Sequence, residues 1–261
     1  MSSKLYDHGE LDSAVKLLRM AYGFENWFEV LRLSEDLYED SLQAYNLQMI
    51  STDTILHTKR TIIYYVGYAL LMQGIGHQKL SDFDKAKECV LKYGDFGWVN
   101  NPDDEAKSEI EFYANTSKLN LIVLELLQGN SDNIRGYISF IQENQEETNA
   151  GLLTLLEANR INGLQVSDYQ HLFEEHANTR ESIKPADMPS YLKYLYEYSL
   201  YMIRTSDQET AINNILYCLA ISSKVSADKT SIKYVNLFEK LRDHASSNQI
   251  DKYKSILEGM H

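Results

Sequence analysis

Apolar residues recur at helical spacing along almost the whole chain. Leu11, Ala14, Val15, Leu18 and Ala21 form a stripe at i, i+3, i+4, i+7, and Trp27, Val30, Leu31, Ser34 and Leu37 continue it in a second helix after Gly23. A long apolar helix is predicted over about 58–79. Ser81-Asp82 then caps a helix carrying Phe83, Ala86, Val90 and Tyr93, which Gly94-Asp95 closes. Asn101-Pro102-Asp103-Asp104 reads as a helix start, with proline at the front and acids in the first turn; that helix runs to Leu127. Gly129-Asn130-Ser131-Asp132 turns into the next, which holds Ile134, Ile138 and Ile141. Further helices are predicted near 146–161, 167–177, 190–204, 208–223, 228–245 and 247–258. Residues 178–189 are the one extended loop. Roughly a dozen helices joined by short turns make antiparallel neighbours, a string of helical hairpins.

Such a string suggests a repeat. Against the tetratricopeptide period of about 34 residues, Gly9, Leu11 and Ala14 match the spacing of the small positions. Gly74 with Phe83 and Ala86 matches in a second hairpin, and Asp207 with Ala211 in a third. The hairpins around 129–138 and 162–173 keep the helix lengths and lose the small residues. The expected fold is therefore all-α, a tetratricopeptide-like right-handed α-solenoid spanning 1–261 as a single domain.

Composition narrows the function classes. With 3 prolines and 12 glycines in 261 residues, the turn chemistry of a β-sandwich or barrel is missing. The net charge of −13 opposes nucleic-acid binding by this chain alone, since a phosphate backbone demands a basic surface. Cys89 and Cys218 lie far apart within apolar helical stretches, which fits a reducing compartment better than a disulfide framework or metal site. The first fifteen residues lack a signal pattern, and no apolar run is long enough to span a bilayer, so a soluble, cytoplasmic protein without membrane contact is expected.

Catalytic motifs are lacking. His171 and His176 in HLFEEH are five residues apart, about 140° around a helix, and so do not share a metal-binding face. No G-x-S-x-G, P-loop or paired-cysteine motif occurs, and nothing pairs a nucleophile with a base. We expect no enzyme activity, no metal and no cofactor.

What remains is a groove. The first helices of stacked hairpins line a concave face suited to a peptide or partner helix. On helix 108–127, Phe112, Leu119, Ile122, Val123, Leu126 and Leu127 fill an apolar arc with Asn115 in its middle and Tyr113, Ser117 and Asn120 on its edge. Asn159 repeats the theme on the 146–161 helix. The chain's 19 tyrosines include a stripe, Tyr191, Tyr194, Tyr198 and Tyr201, and a cluster, Tyr64, Tyr65 and Tyr68; such rings pack as core yet keep a hydroxyl. The candidate ligand-binding residues are Tyr68, Tyr113, Asn115, Asn120, Asn159, Tyr194 and Tyr198. Net charge alone predicts a groove that prefers a basic peptide.

The stretch Asp82–Gly129, DFDKAKECVLKYGDFGWVNNPDDEAKSEIEFYANTSKLNLIVLELLQG, resembles the C-terminal region of a group of Bacillus-type transcription regulators. The late segment AISSKVSADKTSIKYVNLFEKLRDHASSNQIDKYKSIL resembles the end of the same proteins. Those regulators carry an N-terminal Xre-type helix-turn-helix before a tetratricopeptide-like domain. They are similar in architecture to the NprR, PlcR and Rgg quorum-sensing receptors, and more distantly to the Rap phosphatases and AimR. The resemblance implies a short signalling peptide held in the concave groove, with inner-helix asparagines on its backbone and the solenoid forming a homodimer. Tyr113, Asn115, Asn120 and Asn159 match that pattern in residue type. The departure is that helical hairpins begin by Gly9, with no basic recognition helix before them. The chain is therefore expected to be the regulatory part of a longer protein, or a relative without DNA binding. Other readings are a constitutive protein scaffold and a Rap-like regulator of a response regulator.

Overall fold

The computed structural model describes residues 10–50, 58–223 and 228–259. Gly9, the start of the first repeat match, lies outside the described residues. Twelve α-helices are present among them and no strand: α1 (Glu10–Gly23), α2 (Trp27–Ile50), α3 (Ile62–Lys79), α4 (Phe83–Gly94), α5 (Asp104–Leu127), α6 (Ile134–Glu143), α7 (Thr148–Asn162), α8 (Gln170–Ala177), α9 (Met188–Arg204), α10 (Gln208–Ser222), α11 (Asp228–Leu241) and α12 (Ser247–Glu258). The all-α class expected from the hydrophobic spacing is thus observed. No helix among the described residues is long and apolar enough to cross a membrane. The chain divides into two compact units, Met1–Leu124 and Glu125–His261, with the boundary inside α5.

In the first unit, α1 packs on α2, α2 on α3 and α3 on α4. The predicted stripe is the buried one on α1: Leu11, Val15, Leu18 and Ala21 all face inward. Helix α3 is the central element, buried on most of its circumference. A Cβ placed on Gly74 would lie 3.4 Å from Cys89 Cβ and 3.6 Å from the Ala86 carbonyl oxygen, so this small residue sits where α3 and α4 meet. The helix α3 begins four residues later than the pattern suggests. Thr61 is its N-cap, in extended conformation, with Oγ1 accepting from the Tyr64 N–H.

In the second unit, α7 packs against α6, α8 and α9, α9 against α10, and α10 against both α11 and α12. The extended loop is present between α8 and α9, tightened by one 3₁₀ turn, Arg180–Ser182. Pro102 does not open α5 from inside. The cap is Asp103, whose Oδ1 accepts from the Ala106 N–H at 2.8 Å, and the proline precedes it.

One connection recurs. Glu25, Ser81, Gly129 and Ser206 all have positive φ (54°, 64°, 87° and 68°). Each is followed by Asn or Asp: Asn26, Asp82, Asn130 and Asp207. The N–H of that residue returns to the carbonyl five residues earlier, at 2.8–3.0 Å in every case. This 6→1 bond satisfies an orphan carbonyl at the end of the preceding helix. Asn26, Asp82 and Asp207 then cap the next helix, accepting from the N–H of Glu29, Lys85 and Thr210. The same turn thus closes four of the helices.

Candidate functional site

Of the α5 arc chosen by counting apolar residues, Leu126 and Leu127 at its C-terminal end are buried, whereas its N-terminal part around Asn115 is not. Asn115 is exposed, with Oδ1 accepting from Lys118 Nζ at 3.3 Å, and Phe112 is 56% exposed. The buried line runs through Ala106, Glu109, Tyr113, Ser117 and Leu124. Shape decides this. Tyr113 lies against Gly67 of α3, and Ser117 against Gly94 at the end of α4, so a large and a small side chain each meet a glycine. Placing Asn115 at the centre of the apolar arc is therefore corrected.

The other candidates in the first unit are used internally. Tyr113 is 1% exposed, and its hydroxyl donates to the Tyr64 carbonyl at 2.9 Å. Burial holds its phenol well above the usual range. Asn120 donates from Nδ2 to the Tyr93 hydroxyl at 2.7 Å. Tyr68 is half-buried and stacks on Tyr64, with ring centroids 5.7 Å apart, while the Arg19 guanidinium lies 5.6 Å from the Tyr68 ring centre. Asn120→Ala is expected to cost about 1–2 kcal/mol, because the partly buried Tyr93 hydroxyl loses its partner. Asn115→Ala should stay within about 0.5 kcal/mol of wild type. Urea unfolding of the two single variants distinguishes a structural asparagine from an idle one.

In the second unit, Asn159 bridges the α7–α8 turn and α9: Nδ2 donates to the Leu164 carbonyl at 2.7 Å, and Oδ1 accepts from Arg204 at 2.6 Å. The tyrosine stripe is a buried ladder. Tyr191, Tyr194, Tyr198 and Tyr201 stack along α9 with successive centroids 5.9, 6.0 and 6.5 Å apart. Its hydroxyls serve α8. Tyr194 donates to the Phe173 carbonyl at 2.6 Å, and Tyr191 to the Ala177 carbonyl at 2.8 Å. The Ala177 carbonyl, in the last turn, has no partner within the helix, so Tyr191 helps fix where α8 stops, while Tyr194 ties the Phe173 carbonyl one turn earlier to α9. His176 packs edge-on against Tyr191 and Tyr194, and desolvation lowers its pKa to about 4; His171 is exposed. Among the described residues, no group of three or more His, Cys, Asp or Glu side chains could hold a metal ion. Cys89 and Cys218 are buried free thiols.

Anchoring α8 in this way positions the loop that follows it, and that loop forms one wall of a cleft of about 630 Å³. Residues 178–182 face Thr210, Asn213 and Asn214 on α10 and Lys252 on α12. Arg180 is fixed by three contacts: Nε donates to the Ala177 carbonyl at 3.1 Å, a terminal nitrogen donates to Asn214 Oδ1, and the guanidinium lies 4.9 Å from the centre of the Tyr217 ring. Asn213 Oδ1 accepts from Gln249 Nε2 at 2.9 Å, joining α10 to the capping box that opens α12. Asn214 is 1% exposed, and its Nδ2 has no hydrogen-bond partner. A buried donor left unpaired costs about 1–3 kcal/mol, so this amide is an uncommon feature of the α10 packing.

None of the seven sequence candidates lines this cleft, and Arg180, Asn214 and Lys252 were not among them. The available signal was the loop itself, the longest break in helical spacing, since binding groups concentrate on loops held by a rigid scaffold. No family model, curated protein or solved structure matches the chain.

Proposed function

We propose that the chain is a peptide-sensing regulatory domain of a transcription regulator, acting in the cytoplasm as a tetratricopeptide-like right-handed α-solenoid. The observation that carries this reading is the cleft of the second unit. Its lining offers side-chain amides, hydroxyls and a pinned guanidinium, with one buried amide donor unpaired. These groups hydrogen-bond a peptide main chain and are not arranged for bond making. The recurrent turn at four helix ends, and the packing of α1 on α2, α2 on α3 and α3 on α4 in the first unit, support a repeat architecture. Peptide binding would favour one arrangement of the helices and so alter a DNA-binding unit elsewhere, DNA being reached only through a separate helix-turn-helix.

Thermal unfolding of the chain against pools of short peptides tests this. A peptide at 100 times its dissociation constant should stabilise the protein by about 2.7 kcal/mol, and the absence of any shift across the pools would overturn the reading. A second reading, a constitutive protein scaffold, is favoured by the first hairpin. Leu17, Met20 and Phe24 follow one another at i, i+3, i+7 with exposures of 53%, 58% and 80%, and Phe28 is 75% exposed. Single exposed apolar residues are ordinary, whereas four within twelve residues of one hairpin suit a protein partner.

A further inference from the structure

We infer that the cleft between the α8–α9 loop, α10 and α12 binds the terminal carboxylate of a short peptide. This rests on the peptide-binding reading and adds which end of the ligand the site grips, and with what.

The chain as a whole is strongly acidic, with a net charge of −13. The cleft reverses that locally: its lining holds two cations, Arg180 and Lys252, against one acid, Glu181. The basic peptide expected from net charge alone is thus disfavoured at this site, because a ligand responds to the charges that line its cleft before it responds to the sum over the molecule. Arg180 is pre-organised for an anion. Its backbone-bound Nε, its bond to Asn214, its stacking on Tyr217 and its closeness to the Tyr191 hydroxyl hold the guanidinium plane at the wall of the cleft. A planar, fixed guanidinium is matched to the two oxygens of a carboxylate. Asn214 holds that guanidinium through its Oδ1, while its own Nδ2 is buried without a partner. Lys252 is exposed on α12, so it adds charge without a packing role.

The test uses the full chain, ¹⁵N-labelled, and two matched pools of N-acetylated hexapeptides, one ending in a free carboxylate and the other in an amide. The carboxylate pool should move the side-chain signals of Asn214 and Arg180, and the amidated pool should bind at least about tenfold more weakly, the loss expected for a charge-assisted bidentate pair. Asn214→Asp keeps a partner for Arg180 while neutralising its charge with an adjacent carboxylate. It should lower binding of the carboxylate pool by tenfold or more. Lys252→Glu, at an exposed position that folding does not depend on, should weaken it as well. Equal binding of both pools would overturn the carboxylate assignment and leave the peptide reading standing. Binding of neither pool would remove both. Sodium acetate or succinate moving the same signals as strongly as the peptides would overturn the peptide source in favour of a free small carboxylate.

Discussion

Gly67→Ala should destabilise the first unit by about 2–4 kcal/mol, even though it places the best helix former in the middle of a helix. A Cβ at this position would stand 2.5 Å from Cδ2 and Cζ of Tyr113, and nearer still to Cε2. The obstacle is a rigid ring, not the free end of a flexible chain. Tyr113 is confined by Tyr93 and Phe96, with centroids 6.0 and 5.9 Å away, and its hydroxyl is tied to the Tyr64 carbonyl. Moving the ring breaks that bond and disturbs the aromatic packing around it. Overpacking of this kind costs about 1–3 kcal/mol, and the orphaned hydroxyl about 1–3 more. The helix-propensity gain of about 1 kcal/mol offsets only part of this. Gly76→Ala is the control: there the nearest atom is Leu31 Cδ2 at 2.8 Å, the tip of a side chain that can rotate away, and a change within about 1 kcal/mol is expected. Gly67→Ala combined with Tyr113→Leu should recover part of the loss, because leucine lacks the outer ring atoms. Urea unfolding of the three variants checks the set. A Gly67→Ala protein as stable as wild type would show that α5 does not dock on α3 through this ring.

The second large effect is expected on acidification. His176 is held between Tyr191 and Tyr194, with Nε2 3.0 Å from Asn149 Oδ1, and burial lowers its pKa to about 4 from an ordinary 6.5. The unfolded chain therefore takes up the proton first. Stability contributed by the neutral ring is complete above pH 6.5 and is lost as pH falls towards 4, by an amount on the order of 3 kcal/mol. The carboxylates titrate partly within the same window, so the informative quantity is a difference. His176→Phe keeps an aromatic ring between the tyrosines and has no proton to gain. Unfolding at pH 7.0 and 4.5 should show wild type losing more stability than His176→Phe by about 2–3 kcal/mol. Equal losses in the two proteins would mean that the ring is hydrated in solution. Since His176 lies in the last turn of α8, its protonation is also expected to loosen the loop that carries Arg180.

Much of the secondary structure was legible because it depends on local chemistry. The stripe Leu11, Val15, Leu18 and Ala21 repeats at the period of the helix, and Asp82 is a short polar acceptor in front of an amphipathic run; both are read without knowing what they touch. The connections at Glu25, Ser81 and Ser206 were less so. Their positive φ is unusual for residues with a side chain, and is held because the next residue's N–H bonds a carbonyl that the folded helix end supplies.

The candidate groups were hardest to place, for a reason visible on α5. Apolar count rightly included Leu126 and Leu127 but centred the arc on Asn115 beside Phe112, whereas the chain buries Tyr113 and Ser117, because Gly67 and Gly94 on other helices leave room of those two sizes. Likewise, the spacing of Tyr191, Tyr194, Tyr198 and Tyr201 announces a stripe, but that two of their hydroxyls bond carbonyls of α8 depends on where α8 lies. The amino-acid sequence by itself determined that the chain is helical, where most of its helices begin and end, and that it is acidic overall. The tertiary structure alone decided which side chains meet and which polar atom is left without a partner. Periodicity and capping act within a few residues along the chain, whereas packing and desolvation act between residues brought together from distant positions, as Arg180, Asn214 and Lys252 are.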